Sequence, residues 1–437
     1  MKRNIRLFLC TLPLILFFVT GCISAKPEEA LPPPDPIHNA QGKLPGQVPA
    51  DPIREKIGAM TIDEKIGQMV IAGLDGYDID AYSKELIEKY KVGGFIFFGR
   101  NIKDPKQTIT LLNSLKETNS DLELPLFLAV DEEGGAVNRL PQEVRKFPSN
   151  RAIGQIESEQ FSYEAGRETA RQLKSFGFNL NFAPVLDINS NPNNPVIGDR
   201  SFGSGADIVS KLGLSAMKGL QSEEVISVVK HFPGHGDTSV DSHVGLPVVQ
   251  HDMERLKKLE LVPFARAVRD DADAVMVAHI LLPKLDPDYP SSMSEPIMTG
   301  LLRNELNFDG VIFTDDMTMG AIVKRYDIGQ SAVRSVNAGS DIVLVCHDFA
   351  KQTAVIQALK QSVKEGKLTE ERIDGSVYRI IRLKEKYKLT DKKIGAVDVA
   401  KINKDVDEVL QIFKKMTERT KGCERGADGK DDIRNKI

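Results

Sequence analysis

The chain has 437 residues and no tryptophan. Without indole rings, a protein is poorly equipped to grip long sugar chains by stacking. Cysteine is scarce, with Cys10, Cys22, Cys346 and Cys423 the only four. Their spacing fits neither a disulfide framework nor a zinc site. Neither sign of charge dominates. Lys plus Arg minus Asp plus Glu is 58 − 62 = −4, so nothing points to a nucleic-acid partner. No Gly-x-Gly-x-x-Gly follows the first apolar strand pattern, which weakens a dinucleotide-binding reading. The apolar run Leu7–Val19 is too short to span a bilayer comfortably. What is present is 41% apolar and 27% charged residues, the balance of a soluble globular protein. The length allows one large domain or two ordinary ones.

Residues 1–22 read as a targeting segment. Lys2, Arg3 and Arg6 precede the apolar run, which ends in Val19-Thr20-Gly21-Cys22. That ending resembles a bacterial lipoprotein cleavage box, with Cys22 as the lipidated first residue of the mature chain. An ordinary secretory signal and an uncleaved anchor are the alternatives, and all three export the protein. The expected location is extracytoplasmic, lipid-anchored to the bacterial membrane. Residues 23–52, with Pro32-Pro33-Pro34 and Pro36, read as a tether.

From about Ile53 onward, eight short apolar runs predict strands. They are Gln68–Gly73, Gly94–Gly99, Leu126–Val130, Leu180–Leu186, Val225–Val229, Ala274–Ala278, Val311–Thr314 and Asp341–Val345. Amphipathic helical patterns separate most of them, for example Ser158–Phe176 and Met253–Arg269. Continuous apolar strands alternating with helices imply a parallel sheet buried on both faces. The count of eight favours a (β/α)8 barrel over an open doubly wound sheet. The barrel domain is expected over residues 53–390, with Glu370–Tyr387 as its closing helix. The charged tail 391–437 predicts one helix over Asn403–Lys415, with Asn403 as N-cap, and disorder from 417.

A barrel enzyme carries its working groups at the carboxyl ends of its strands. Here the third strand runs into Asp131-Glu132-Glu133-Gly134-Gly135, with Arg139 a turn further on. The fourth runs into Asp187, and its loop carries Asp199-Arg200-Ser201-Phe202. The fifth gives Lys230-His231, then a Gly/Pro-broken loop with His235, Asp237, Asp241 and His243. The sixth gives His279, the seventh Asp315-Asp316 and the eighth Cys346-His347. Each has a bland alternative. Asp187 and Asp316 could cap a helix or brace a loop, and His235 suits a loop brace better than a substrate contact. His279 and His347 could bond only backbone, Glu132 and Glu133 could be solvated, and the cations could be surface charges. Convergence of charge from five strand ends on one place argues otherwise, because burying it without function is costly.

Two chemistries could use this set. His231, His235, Asp237, Asp241 and His243 superficially suit a metal. Yet Pro233, Gly234 and Gly236 forbid the helix that an i, i+4 ligand pair needs, and the first strand lacks His-x-His. No metal is therefore expected. The second chemistry is glycoside hydrolysis with a carboxylate nucleophile and a separate proton donor.

Four segments carry a resemblance to a known family. They are Asp131–Gly135 with Asn138-Arg139; Gly198-Asp199-Arg200-Ser201-Phe202; Lys230–Gly236 with Asp241-Ser242-His243; and Phe313-Thr314-Asp315-Asp316-Met317. Over roughly residues 53–387 the chain resembles the family 3 glycoside hydrolases, in their β-N-acetylglucosaminidase branch. The resemblance implies Asp315 as nucleophile and His243, paired with Asp241, as a loop-borne proton donor. It implies Asp131, Arg139, Arg200, Lys230 and His231 as ligands of the terminal sugar. Glu132 departs from the family, where glutamine is frequent. The implied activity is a retaining exo-β-N-acetylglucosaminidase acting on muropeptides or chitin oligosaccharides, without cofactor and as a monomer. A β-glucosidase or glycoside phosphorylase is the rival within the family. A sugar-binding lipoprotein on a decayed barrel is the rival outside it.

Overall fold

The computed structural model describes residues 51–431. The targeting segment, Cys22 and the Pro-rich stretch up to residue 50 lie outside them. Eight parallel strands close a barrel in chain order. They are β1 (Val70–Gly73), β2 (Gly94–Phe97), β3 (Phe127–Val130), β4 (Leu180–Asn181), β5 (Ile226–Phe232), β6 (Ala274–Val277), β7 (Val311–Asp316) and β8 (Ile342–Val345). Closure is made where Ile71 of β1 pairs with both Gly94 and Leu344. Helices cover the outside, so β1, β2, β3, β5, β6 and β8 are buried along their whole length. That two-faced burial is why the sequence shows unbroken apolar runs rather than alternation. Aromatic rings fill the centre. Phe182 meets Phe313 edge-on at 5.6 Å, and each is fully buried. Each such ring contributes about 1.5–3 kcal/mol.

Three elements differ from the sequence expectation. β4 forms only two ladder residues, because Pro184 has no N–H to donate; a lone bridge from Val185 to Lys230 replaces the rest. The helix expected over Met253–Arg269 is two, Met253–Lys258 and Val262–Arg269, with Pro263 in the first turn of the second. The C-terminal helix starts at Val399, and its first turn is capped by Asp398, whose carboxylate accepts from Lys401 N at 3.0 Å. Asn403 is therefore no cap. It sits inside the helix and clamps the loop after β3, accepting from Arg145 N (2.7 Å) and donating to Glu143 O (2.8 Å). The helix also runs on to Asp431, where disorder was expected. Its first half packs on the helix Glu159–Phe176 through buried Val406 and Val409 and a Phe161–Phe413 ring contact at 4.8 Å. Once that half is anchored, Lys414, Lys415, Met416 and Glu418 propagate it at little cost, while Gly422, Gly426 and Gly429 further on oppose it.

The amino ends of the strands are closed by polar plugs. Lys384 Nζ donates to Gln68 Oε1, Gly93 O and Pro125 O, at 2.7, 3.2 and 2.6 Å. Asp341, fully buried, is ringed by Arg303, Arg372 and Arg379. The carboxyl ends are left open, and the candidate groups stand there. No helix among the described residues is long and apolar enough to cross a membrane.

Candidate active site

The loop after β3 reverses at once. Gly134 and Gly135 take φ of +86° and +58°, a region that favours glycine. The reversal brings Val137 back to Glu133 and sets Arg139 beside the barrel mouth. Glu132 locks the turn, accepting from the Asn138 amide and from the backbone N–H of Arg139 (2.7 Å) and Leu140 (3.1 Å). Burial pushes its carboxyl up to about 7, against the pull of those N–H groups.

Glu132 and Glu133 are thus not solvated side chains; both are buried. Glu133 takes the Arg200 guanidinium in a two-bond fork, 2.8 Å on each arm, and Lys230 Nζ at 2.7 Å. Lys230 also donates to Asp131 at 2.6 Å. Two cations and two carboxylates from β3, β5 and the β4 loop therefore form one neutral cluster. Burial alone would raise Glu133, but Arg200 and Lys230 hold its carboxyl far below the usual range. Burial alone would lower Lys230, but Asp131 and Glu133 hold its ammonium above the usual range. Breaking any member would strand a buried charge.

The pairing of β5 with β6 shifts register between Val229 and Phe232, and Lys230 and His231 both line the same cavity. Asp187 stands behind them, fully buried. Its Oδ2 meets His231 Nδ1 at 2.6 Å, and its Oδ1 accepts from His235 N at 2.6 Å. Burial would raise this carboxyl; the two histidines lower it below the ordinary value. Asp187 caps no helix. It ties the β4 loop to both ends of the segment 231–235.

The loop beyond is built in two parts. Its root is rigid. His235 Nδ1 meets Thr238 Oγ1 at 2.8 Å and its Nε2 meets Ser242 Oγ at 3.0 Å. Burial, then His231, pushes this imidazole down to about 4. Gly236 passes so close to the β4 loop that a Cβ there would lie 1.7 Å from Ile188 O. The tip is exposed. His243 Nδ1 meets Asp241 Oδ1 at 2.7 Å, with 62% of the His243 side chain open to solvent. Burial would raise Asp241, but the His243 N–H and ring bring its carboxyl below the ordinary value. Backbone bonds from Gly320 N to His243 O (3.2 Å) and from Ala321 N to Ser242 O (3.1 Å) seat the tip on the segment that follows β7.

β7 ends in Asp315 and Asp316, which differ in role. Asp316 Oδ1 accepts from Thr318 N and Cys346 N, at 2.9 and 3.0 Å, so it braces the β7 and β8 loops. Asp315 points into the cavity, its Oδ1 accepting from Asp316 N at 2.8 Å. Burial would raise its carboxyl; His279 and His231 outweigh this and keep it below the ordinary value. His279 is buried between Ser292 Oγ (2.6 Å) and Asp316 O (2.9 Å) and so holds the end of β7 in place.

One cavity of about 210 Å³ collects Asp131, Arg139, Arg200, Lys230, His231, His243 and Asp315. Asp241 stands behind His243. Arg139 lines it, and its Nε is buried without a hydrogen-bond partner, as a group is when a ligand is to supply one. Glu133 and Asp187 are the members that sequence reasoning left among the bland alternatives. Among the described residues, no three His, Cys, Asp or Glu side chains are grouped to hold a metal ion. The histidines of the loop each have a separate partner.

A closed parallel barrel whose β7 tip offers a carboxylate, opposite a loop-borne histidine, is the arrangement of a glycoside hydrolase. Residues 61–383 match the N-terminal domain of glycosyl hydrolase family 3, and the chain belongs to that family. It is 38% identical over 326 residues to β-hexosaminidase A of Pseudoalteromonas piscicida, covering 69% of this chain and 54% of that one. The chain thus spans about half the length of that relative. It is 35% identical over 289 residues to the β-hexosaminidase of Pseudomonas aeruginosa, covering 66% of this chain and 85% of the other. A solved family 3 β-N-acetylglucosaminidase from Paenibacillus sp. str. FPU-7 superposes with a TM-score of 0.76 at 42% identity, over 80% of this chain and 68% of that one.

Proposed function

We propose that this chain is a retaining exo-β-N-acetylglucosaminidase that removes terminal N-acetylglucosamine from cell-wall muropeptides. The observation that carries the reading is the shared cavity: the Asp315 carboxylate, held ionised, and His243, backed by Asp241, open into one space beside Arg139, whose Nε has no partner. In the first step Asp315 attacks the anomeric carbon while the glycosidic C–O bond breaks. His243 gives its proton to the departing oxygen. In the second step the same imidazole takes a proton from water. The hydroxyl displaces Asp315 and restores the enzyme. Asp241 fixes the ring so that its Nε2 faces the reaction. Asp131, Arg139, Arg200, Lys230 and His231 bind the hydroxyls of the terminal sugar. Because the Glu133-centred cluster closes the inner wall, the cavity admits a chain end rather than a chain middle.

A 5-fluoro N-acetylglucosaminyl fluoride tests the assignment. It should leave a stable glycosyl adduct on Asp315, found by peptide mass mapping. An adduct on any other carboxylate removes Asp315 from the role. Export and lipid attachment at Cys22 belong to the same proposal, supported by the basic start, apolar run and Val19–Cys22 ending. Palmitate labelling in a bacterial host should be lost in Cys22→Ala.

A further inference from the structure

The terminal-sugar groups occupy one side of the cavity, on β3, β5 and the β4 loop. The other side, at the ends of β2 and β8, is lined by Phe98 and His347. These two rings stack, with centroids 5.3 Å apart and planes inclined by 28°. The Arg100 guanidinium lies over Phe98 at 4.6 Å from its centroid. Arg100 is itself fixed, donating through Nη2 to Cys346 O (2.8 Å) and through Nε to Leu74 O (3.2 Å). The stack is therefore anchored to the ends of β1 and β8 and does not depend on a ligand for its shape. Nothing in the proposed chemistry uses it.

Exposure says which part of a substrate it meets. The Lys230 side chain is 2% exposed and that of Arg200 19%, so the sugar-gripping side is closed. The His347 side chain is 49% exposed. The two exposed histidines of the lining, His243 at 62% and His347 at 49%, mark where the cavity opens to solvent, and the residue beyond the scissile bond has to leave past them. Resting on the glycosidase reading, we infer that the Phe98–His347 stack is the platform for the leaving residue, taking the apolar face of its pyranose ring against the imidazole. It serves in place of the tryptophan that the chain lacks. His347 also lies 3.8 Å from Asp316 Oδ2. The test must therefore separate stacking from an ion-pair role.

Two substrates and two variants do so. N,N′-diacetylchitobiose has a leaving sugar; β-N-acetylglucosaminyl fluoride has none. In His347→Ala, kcat/KM for the disaccharide should fall roughly five- to tenfold while that for the fluoride stays within about twofold. His347→Phe keeps the stack and loses the ring nitrogens that face Asp316, and should match the wild type on both substrates. An equal fall on both substrates, or a His347→Phe variant as poor as His347→Ala, overturns the platform. A wild-type chain that turns over neither substrate overturns the glycosidase reading itself, and the platform with it.

Discussion

The inner wall of the cavity and the loop that closes over it are built on opposite rules. In the wall, Asp131, Glu133, Arg200 and Lys230 are joined by four contacts of 2.6 to 2.8 Å. At the loop tip, Asp241 Oδ1 accepts from His243 N at 2.9 Å and meets its Nδ1 at 2.7 Å, and the imidazole is exposed. In the wall each charge is neutralised within the protein, so on the proposed function it is a receptor formed before any sugar arrives. The backbone of the tip is seated on the segment after β7, but the His243 side chain stands in solvent, as a group must if it is to serve two proton transfers with different partners. On the proposed function, order is concentrated where binding needs it and withheld where the chemistry needs movement.

Substitutions on either side should separate these rules. Asp315→Ala should cost on the order of 10⁴-fold or more in kcat and leave the melting temperature close to wild type. Turnover at a wild-type rate would falsify the nucleophile assignment. His243→Gln at the loop tip should lower kcat for natural leaving groups about 10²- to 10⁴-fold. It should affect a fluoride or dinitrophenyl leaving group, which departs without a proton, far less. Equal losses for good and poor leaving groups would show that His243 is not the acid. Glu133→Gln in the wall should act on folding as well as on activity. It leaves Arg200 and Lys230 underpaired, at about 3 kcal/mol by urea titration. An unchanged midpoint would mean that the wall is not the tight unit described.

The smallest effect concerns Glu132, next to the wall. Its carboxyl titrates at about 7 in the fold, above an unfolded value of about 4.3. The folded state therefore holds the extra proton between those values. The stability this confers is present below about pH 4.3 and is lost as pH rises through about 7. Glu132→Gln abolishes that loss and offers the unpaired Asn138 Oδ1 a donor. It should be more stable than the parent by about 1–3 kcal/mol at pH 8 and nearly equal to it at pH 4. A constant difference across that range would show that Glu132 is not the titrating group.

The barrel was legible because eight apolar runs alternate with amphipathic ones, and each run is buried on both faces. Strand ends were legible too, since polar groups after an apolar run mark the carboxyl rim. What sequence could not show was pairing between loops. Glu133 follows another glutamate and looks like surface charge; only Arg200 and Lys230, 67 and 97 residues later, make it a wall residue. Asp187 looked like a cap until two histidines on β5 and its loop met it. Pro184 and Pro263 were visible signals for the short β4 and the split helix, and reading them by the missing N–H would have found both. The reach of the C-terminal helix depended on a docking surface on the far side of the chain.

Asp187 has a consequence of its own. One oxygen steadies the cavity-facing imidazole of His231 while the other holds the root of the loop that carries His243. On the proposed roles, affinity and turnover share a single support. A change that loosens the grip on sugar also slackens the arm that delivers the proton, so the two properties cannot be tuned independently at this position.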